Sequence, residues 1–185
     1  MAPMSGDTGL QNVATAIRRV ETVLTRRPDI GLHDDAPATA RWEGGNRAVS
    51  SHENGTQIVS DMPKELGGGG EHVTPGWLFR AGFASCAATS IAMNAAIEGI
   101  ELTQLEVRAT SRSDVRGLLG MTDSDGTPVY AGPCDVQLSV RISANGVSRE
   151  RLQALVEEGL RRSPIPNAVQ HAVPVAVNVQ IDTGA

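Results

Sequence analysis

The chain has 185 residues, 40% of them hydrophobic and 20% charged, with a formal net charge of -5 and a pI near 5.3. That size supports one core of ordinary dimensions, and the acidic balance offers no basic patch for nucleic acid. Two cysteines, Cys86 and Cys134, are too few for a disulfide-stapled secreted fold. The opening "MAPMSGDTGL" lacks a basic region, an apolar run and a cleavage site, so a cytoplasmic protein without a secretory signal is expected.

Leu10, Val13, Ile17, Val20 and Leu24 recur at three- and four-residue steps, predicting an amphipathic helix stopped by Pro28. The polar "DIGLHDDAPA" reads as a linker, so residues 1–38 form a helix and linker ahead of a domain at 39–185. From Thr39 to Asp61, short β-prone runs broken by Gly44-Gly45 and Asn54-Gly55 predict a meander, with a primed turn at Asn-Gly. The glycine-rich "ELGGGGEHVTPG" resembles a phosphate cradle only superficially, because no Gly-Lys-Ser/Thr follows. Thr74 suits a helix cap and Pro75 a first turn, predicting a long apolar helix to about Glu98, stopped by Gly99. "LTQLEVRATSRSD" and "CDVQLSVRISA" read as strands around a turn-rich loop. Ser148 opens a helix through Leu152, Leu155, Val156 and Leu160 that ends before Pro164. "VPVAVNVQID" alternates as a last strand. The order predicts an α+β fold with a largely antiparallel sheet.

The 75–100 run is too rich in Ala, Ser and Gly, and too interrupted by Arg80, to be a membrane span. A helix apolar all round is expected to be buried between layers or subunits. Cys86 within it has two readings, an inert small hydrophobe or a nucleophile. Arg80 cannot shed its proton and needs either an acid, with Glu71 and Glu98 as candidates, or a cavity open to water. Six residues, about 600° of rotation, separate the two, so they do not share a face.

The segments "PKELGGGGEHVTPGWLFRAGFASCAATSIAMNA" and "SRERLQALVEEGLRRSPIPNAVQ…VAVNVQID", with "RWEGG" upstream, resemble the OsmC/Ohr family of osmotically inducible and organic hydroperoxide resistance proteins over about residues 40–182. The resemblance implies an intertwined homodimer in which antiparallel sheets wrap around long central helices. It implies a peroxidatic cysteine that attacks an organic hydroperoxide, an activating arginine held by a glutamate, and a resolving cysteine after the last helix. Carried onto this chain, Cys86 falls on the peroxidatic position, and Arg47 is the nearest candidate for the arginine. Gly76 stands where the glutamate is expected, and Ser163 where the resolving cysteine is expected. Serine cannot form a disulfide, so an external thiol reductant is implied, with oxidised Cys86 remaining a sulfenic or over-oxidised acid. Cys134 could act as resolver only if its Cα comes within roughly 7 Å of that of Cys86.

Three functions follow. One is a peroxidase working through Cys86, with Arg47 as the catalytic cation. The second is a binding protein without peroxide turnover that takes an anionic or electrophilic small molecule through Arg80, Gly76 and Ser163. The third and weakest is a cysteine hydrolase pairing Cys86 with His72 or His171. His33 and His52 lie in turns, no metal-ligand spacing is present, and no cofactor is expected.

Overall fold

The structure is a computed structural model that describes residues 6–171 and 173–181. Helix α1 (Gly6–Arg26) lies against the long apolar helix α2 (Pro75–Ile97). Its less exposed apolar positions are Leu10, Ala14, Ile17 and Leu24, an i, i+4, i+7 pattern. Val13 and Val20, expected on the same stripe, are exposed, while Ala14 is buried. A single 3-10 turn, Pro28–Gly31, follows, and residues 32–38 have no regular structure.

Strands β1 (Thr39–Trp42), β2 (Ala48–Ser51) and β3 (Gln57–Ser60) form the expected antiparallel meander in that order. The Asn54-Gly55 turn differs from the primed type. Gly55 N donates to His52 O, His52 N donates to Thr56 O, and only Gly55 takes a positive φ, of 90°. This is a tight turn followed by a left-handed glycine, the three-residue hairpin connection. Asn54 keeps a negative φ within this connection, and its Oδ1 accepts from Thr56 N at 2.9 Å.

The glycine run closes on a carboxylate of the same chain. Asp61, only 6% exposed, accepts from Met62 N at 2.7 Å and from Gly69 N at 2.8 Å. A Cβ at Gly68 would run into the backbone carbonyl of Met62, so only glycine permits this approach. With the Gly69 N–H taken by Asp61, the loop is a self-binding turn.

Helix α2 begins as the sequence predicts, with Thr74 Oγ1 accepting from Trp77 N and Pro75 in the first turn. Phe83, Ala87, Ile91 and Ala95 recur every four residues and are buried, forming much of the core. The expectation of burial all round holds for one side only. Ser85, Thr89, Ala92 and Met93 are exposed, because within one chain the helix is covered by α1 and by the elements that follow it.

Those elements begin with β4 (Leu102–Arg112), which pairs antiparallel with β5 (Cys134–Ala144), Val107 opposite Val140. Between them lies the short helix α3 (Val115–Leu118). Helix α4 (Arg149–Arg161), capped by Ser148, packs on α2 so closely that a Cβ at Gly159 would meet the backbone of Ile91. Asn94 Nδ2 donates to Leu155 O across this contact at 3.2 Å. Helix α5 (Pro164–Gln170) also reaches α2.

The last expected strand is not formed. Residues 173–181 have no strand partner, and Val173, Val175, Val177, Val179 and Ile181 are exposed, while Asp182 lies outside the described residues. Alternation shows that a segment suits a pleated surface, but a strand exists only where an edge receives its hydrogen bonds. No helix among the described residues is long and apolar enough to cross a membrane.

Candidate functional site around Cys86 and Arg80

Cys86 is half-buried on α2, and the N-terminal end of α5 is built over it. Ser163 Oγ donates to Cys86 Sγ at 3.2 Å, and the backbone N–H of Ile165 approaches the same sulfur at 3.5 Å. Ser163 is fully buried. Although it occupies the cap position of α5, its side chain makes no capping bond, because its hydroxyl proton is directed at the thiol. Asn167 fixes this corner by donating through Nδ2 to the carbonyls of Ser163 and Arg161 at 2.8 and 3.0 Å. The carbonyls are anchored while the two donors facing sulfur are left pointing at it.

Cys134 is exposed at the start of β5, opposite Arg112, and both cysteines are free. His72 and His171 are likewise elsewhere: His171 Nδ1 is 3.0 Å from Asn167 O, and His72 bonds Arg47. The hydrolase reading therefore lacks its imidazole contact among the described residues.

Arg47 donates from Nη2 to His72 Nε2 at 2.7 Å. A guanidinium has donors only, so Nε2 accepts and the imidazole carries its proton on Nδ1. The pair flanks Asp61, whose carboxyl is held below the usual range first by the Gly69 N–H, then by the Met62 N–H, with the Arg47 charge adding to them. Among the described residues no hydrogen bond joins Arg47 to Cys86.

Arg80 forms another locus. Glu98, one of its two expected partners, pairs with Arg151 at 2.6 Å, and neither Glu98 nor Glu71 reaches Arg80. Its one hydrogen bond among the described residues is a long one, from Nη1 to Ser111 Oγ at 3.4 Å. The guanidinium lies beside Gly76: a Cβ there would stand 3.7 Å from Arg80 Nη1, in open contact. Together they line a cleft of about 440 Å3 at the start of α2, which Cys86 does not line. The sequence-predicted site residues thus fall into three groups: Cys86 with Ser163, Gly76 with Arg80, and Arg47 with His72 and Asp61.

Sequence reasoning missed Asp61, although an aspartate shortly before a run of four glycines, "DMPKELGGGG", signals a carboxylate wrapped by backbone N–H groups. It also missed Ile165, whose donor is backbone and leaves no mark in composition. Among the described residues no group of three or more His, Cys, Asp or Glu could hold a metal ion.

Residues 68–178 match the family model described as OsmC-like protein. An organic hydroperoxide resistance protein of Xanthomonas axonopodis pv. citri (strain 306) is 28% identical over 145 residues, covering 78% of this chain and 92% of the relative. Among solved structures, an OsmC like protein from Mycoplasma pneumoniae is similar with a TM-score of 0.62 at 18% identity, over 76% of this chain and 91% of that one. An organic hydroperoxide resistance protein from Elizabethkingia anophelis gives 0.55 at 22% identity, over 77% and 92%. At these identities the structural likeness is one of fold.

Proposed function

The chain belongs to the OsmC-like protein family, and from that premise we propose that it reduces organic hydroperoxides at Cys86 with electrons from an external thiol. The observation that carries this reading is the pair of donors on one sulfur, Ser163 Oγ–H and Ile165 N–H. They orient a sulfur nucleophile and favour negative charge on it. The similarity to an organic hydroperoxide resistance protein supports the substrate class.

In this reaction the Cys86 thiolate attacks the distal oxygen of the hydroperoxide, the O–O bond breaks, and the departing alkoxide takes a proton to become the alcohol. Cys86 is oxidised to a sulfenic acid. An external thiol attacks the sulfenic sulfur, releasing water and leaving a mixed disulfide, and a second thiol returns Cys86 to the thiol while the reductant leaves as a disulfide. Ser163 cannot take the resolving step, and its hydroxyl keeps the sulfur oriented between steps.

The working unit in this proposal is a homodimer in the cytoplasm. The uncovered side of α2 and the exposed alternating residues of 173–181 support a second copy as the missing layer. A monomeric mass by sedimentation at micromolar concentration would overturn that assembly. A second reading, a binding protein without peroxide turnover, draws on one observation: Arg80 and Gly76 line a cleft apart from Cys86.

Consumption of cumene hydroperoxide and hydrogen peroxide with dithiol reductants, compared with Cys86→Ser, separates the two readings. Dithiol-dependent consumption of cumene hydroperoxide that vanishes in the variant is expected. Equal rates in both proteins would exclude the peroxidase reading. Mass analysis after peroxide treatment without reductant is expected to show oxygen on Cys86, whereas a Cys86–Cys134 bridge would show that the chain resolves itself.

A further inference from the structure

The cleft at the start of α2 has an unusual balance of charge. Its walls are mainly Met62, Pro63, Leu66, Phe79, Leu118 and Pro133, and two ionisable side chains reach it, Arg80 and Asp114. Asp114 is already paired: Arg116, which also reaches Asp123 at 3.5 Å, donates to it from Nε at 3.1 Å and from Nη2 at 2.6 Å, and the Arg116 backbone N–H adds a further bond. Arg80 has no such partner. Its hydrogen bond to the neutral Ser111 hydroxyl is at the limit of bonding distance, and no carboxylate among the described residues lies within ion-pair reach. The contrast with a hollow of about 650 Å3 at the other end of α2, beside α4, is direct. There Arg151 is paired with Glu98, and Arg161 and Arg162 with Glu158.

A half-buried guanidinium without a counter-charge, aimed into an apolar cleft, needs an anion or water at its head. Gly76 widens the space on that side, since the residue facing the guanidinium has no side chain. The cleft volume is within the usual range for small-molecule sites, which combine apolar walls with a few oriented polar groups. We propose that this cleft binds a small amphipathic carboxylate, its anionic end on Arg80 and its hydrocarbon end among Leu66, Phe79 and Leu118. A carboxylate matches the planar fork of the guanidinium, and walls that are mostly apolar, with Thr74 and Ser113 as the hydroxyl side chains, favour a hydrocarbon end over a ligand polar throughout. The site goes beyond the peroxidase reading and does not depend on it, because Cys86 is not among its walls.

Calorimetric titration of the full chain with octanoate, 1-octanol and inorganic phosphate tests this. Octanoate should bind at least about tenfold more tightly than octanol, the factor that one charge-assisted contact supplies, and phosphate should bind more weakly than octanoate. Arg80→Met should remove the preference for octanoate, and Arg80→Lys should keep part of it. Gly76→Glu should also abolish octanoate binding by supplying a carboxylate to Arg80 from within, and it remains informative if Arg80→Met does not fold. Cys86→Ser, which the peroxidase reading expects to be inactive in the peroxide assay, should bind octanoate as the parent does, so this site and the peroxidase reading fail separately. Equal affinity for octanoate and octanol, no octanoate binding at millimolar concentration, phosphate binding as tight as octanoate, or octanoate binding that survives Gly76→Glu would each overturn the proposal.

Discussion

Asp61 and Arg80 are single charges on either side of the approach to α2, and the fold treats them in opposite ways. Asp61 is almost wholly covered, with a backbone N–H on each carboxylate oxygen and the Arg47 charge close by. Arg80 is half-buried and has one long bond to a hydroxyl. A charge saturated by its own backbone stabilises a loop and has little capacity left for a ligand. A charge left short of partners contributes little to the fold and keeps its capacity for one.

The strongest way to break the comparison is to deny Asp61 its backbone. Gly68→Ala places a methyl against the Met62 carbonyl and should destabilise the chain by about 3 kcal/mol, the upper part of the usual overpacking range, read from the urea midpoint. Asp61→Asn sharpens it through pH. The folded-state pKa of Asp61 is depressed, so its contribution is full above the unfolded value of about 3.9 and is lost as pH falls through the folded value. The melting temperature of the parent should exceed that of Asp61→Asn most at neutral pH, and the gap should close under acid. A constant gap would mean that shape, not charge, holds the loop.

Ser163→Ala removes one buried hydrogen bond and should cost about 1 kcal/mol, while changing the rate at which Cys86 is alkylated. An unchanged rate would show that the hydroxyl does not govern the thiol. Arg80→Met should have the smallest effect on folding, within about 0.5 kcal/mol, because no acid is left stranded. A large fall in melting temperature would reveal a structural partner and remove the contrast with Asp61.

Much of this arrangement was legible in the sequence because it is local. Thr74, Pro75 and Gly99 delimit α2, and Ser148 opens α4, through bonds that span three or four residues. The meander and the long hairpin were equally readable from period and turn residues. The 173–181 segment shows the limit: its alternation is real, yet among the described residues it pairs with no strand edge, and periodicity alone does not say which edge would receive it. Arg80 was half-legible. Its need for a partner follows from its chemistry, but that Glu98 is taken by Arg151, 53 positions along the chain, does not. The contact of Ser163 with Cys86 spans 77 positions and follows from no periodicity, only from the family resemblance.

The β4–β5 hairpin sets how costly that distant contact is to close. Closing a loop between α2 and α4 costs entropy that grows with the length of free chain. Once Leu102 has paired with Ala144, the intervening segment is tied off, and only residues 98–101 and 145–148 remain as free connections between the two helices. The zipped hairpin therefore converts a pairing that is remote along the chain into one that is near. Asn94 meets Leu155 across the shortened connection, and α5, which follows α4 directly, carries Ser163 to the sulfur. The entropy of closing the thiol site is thus set by the hairpin rather than by the full 77 positions between Cys86 and Ser163.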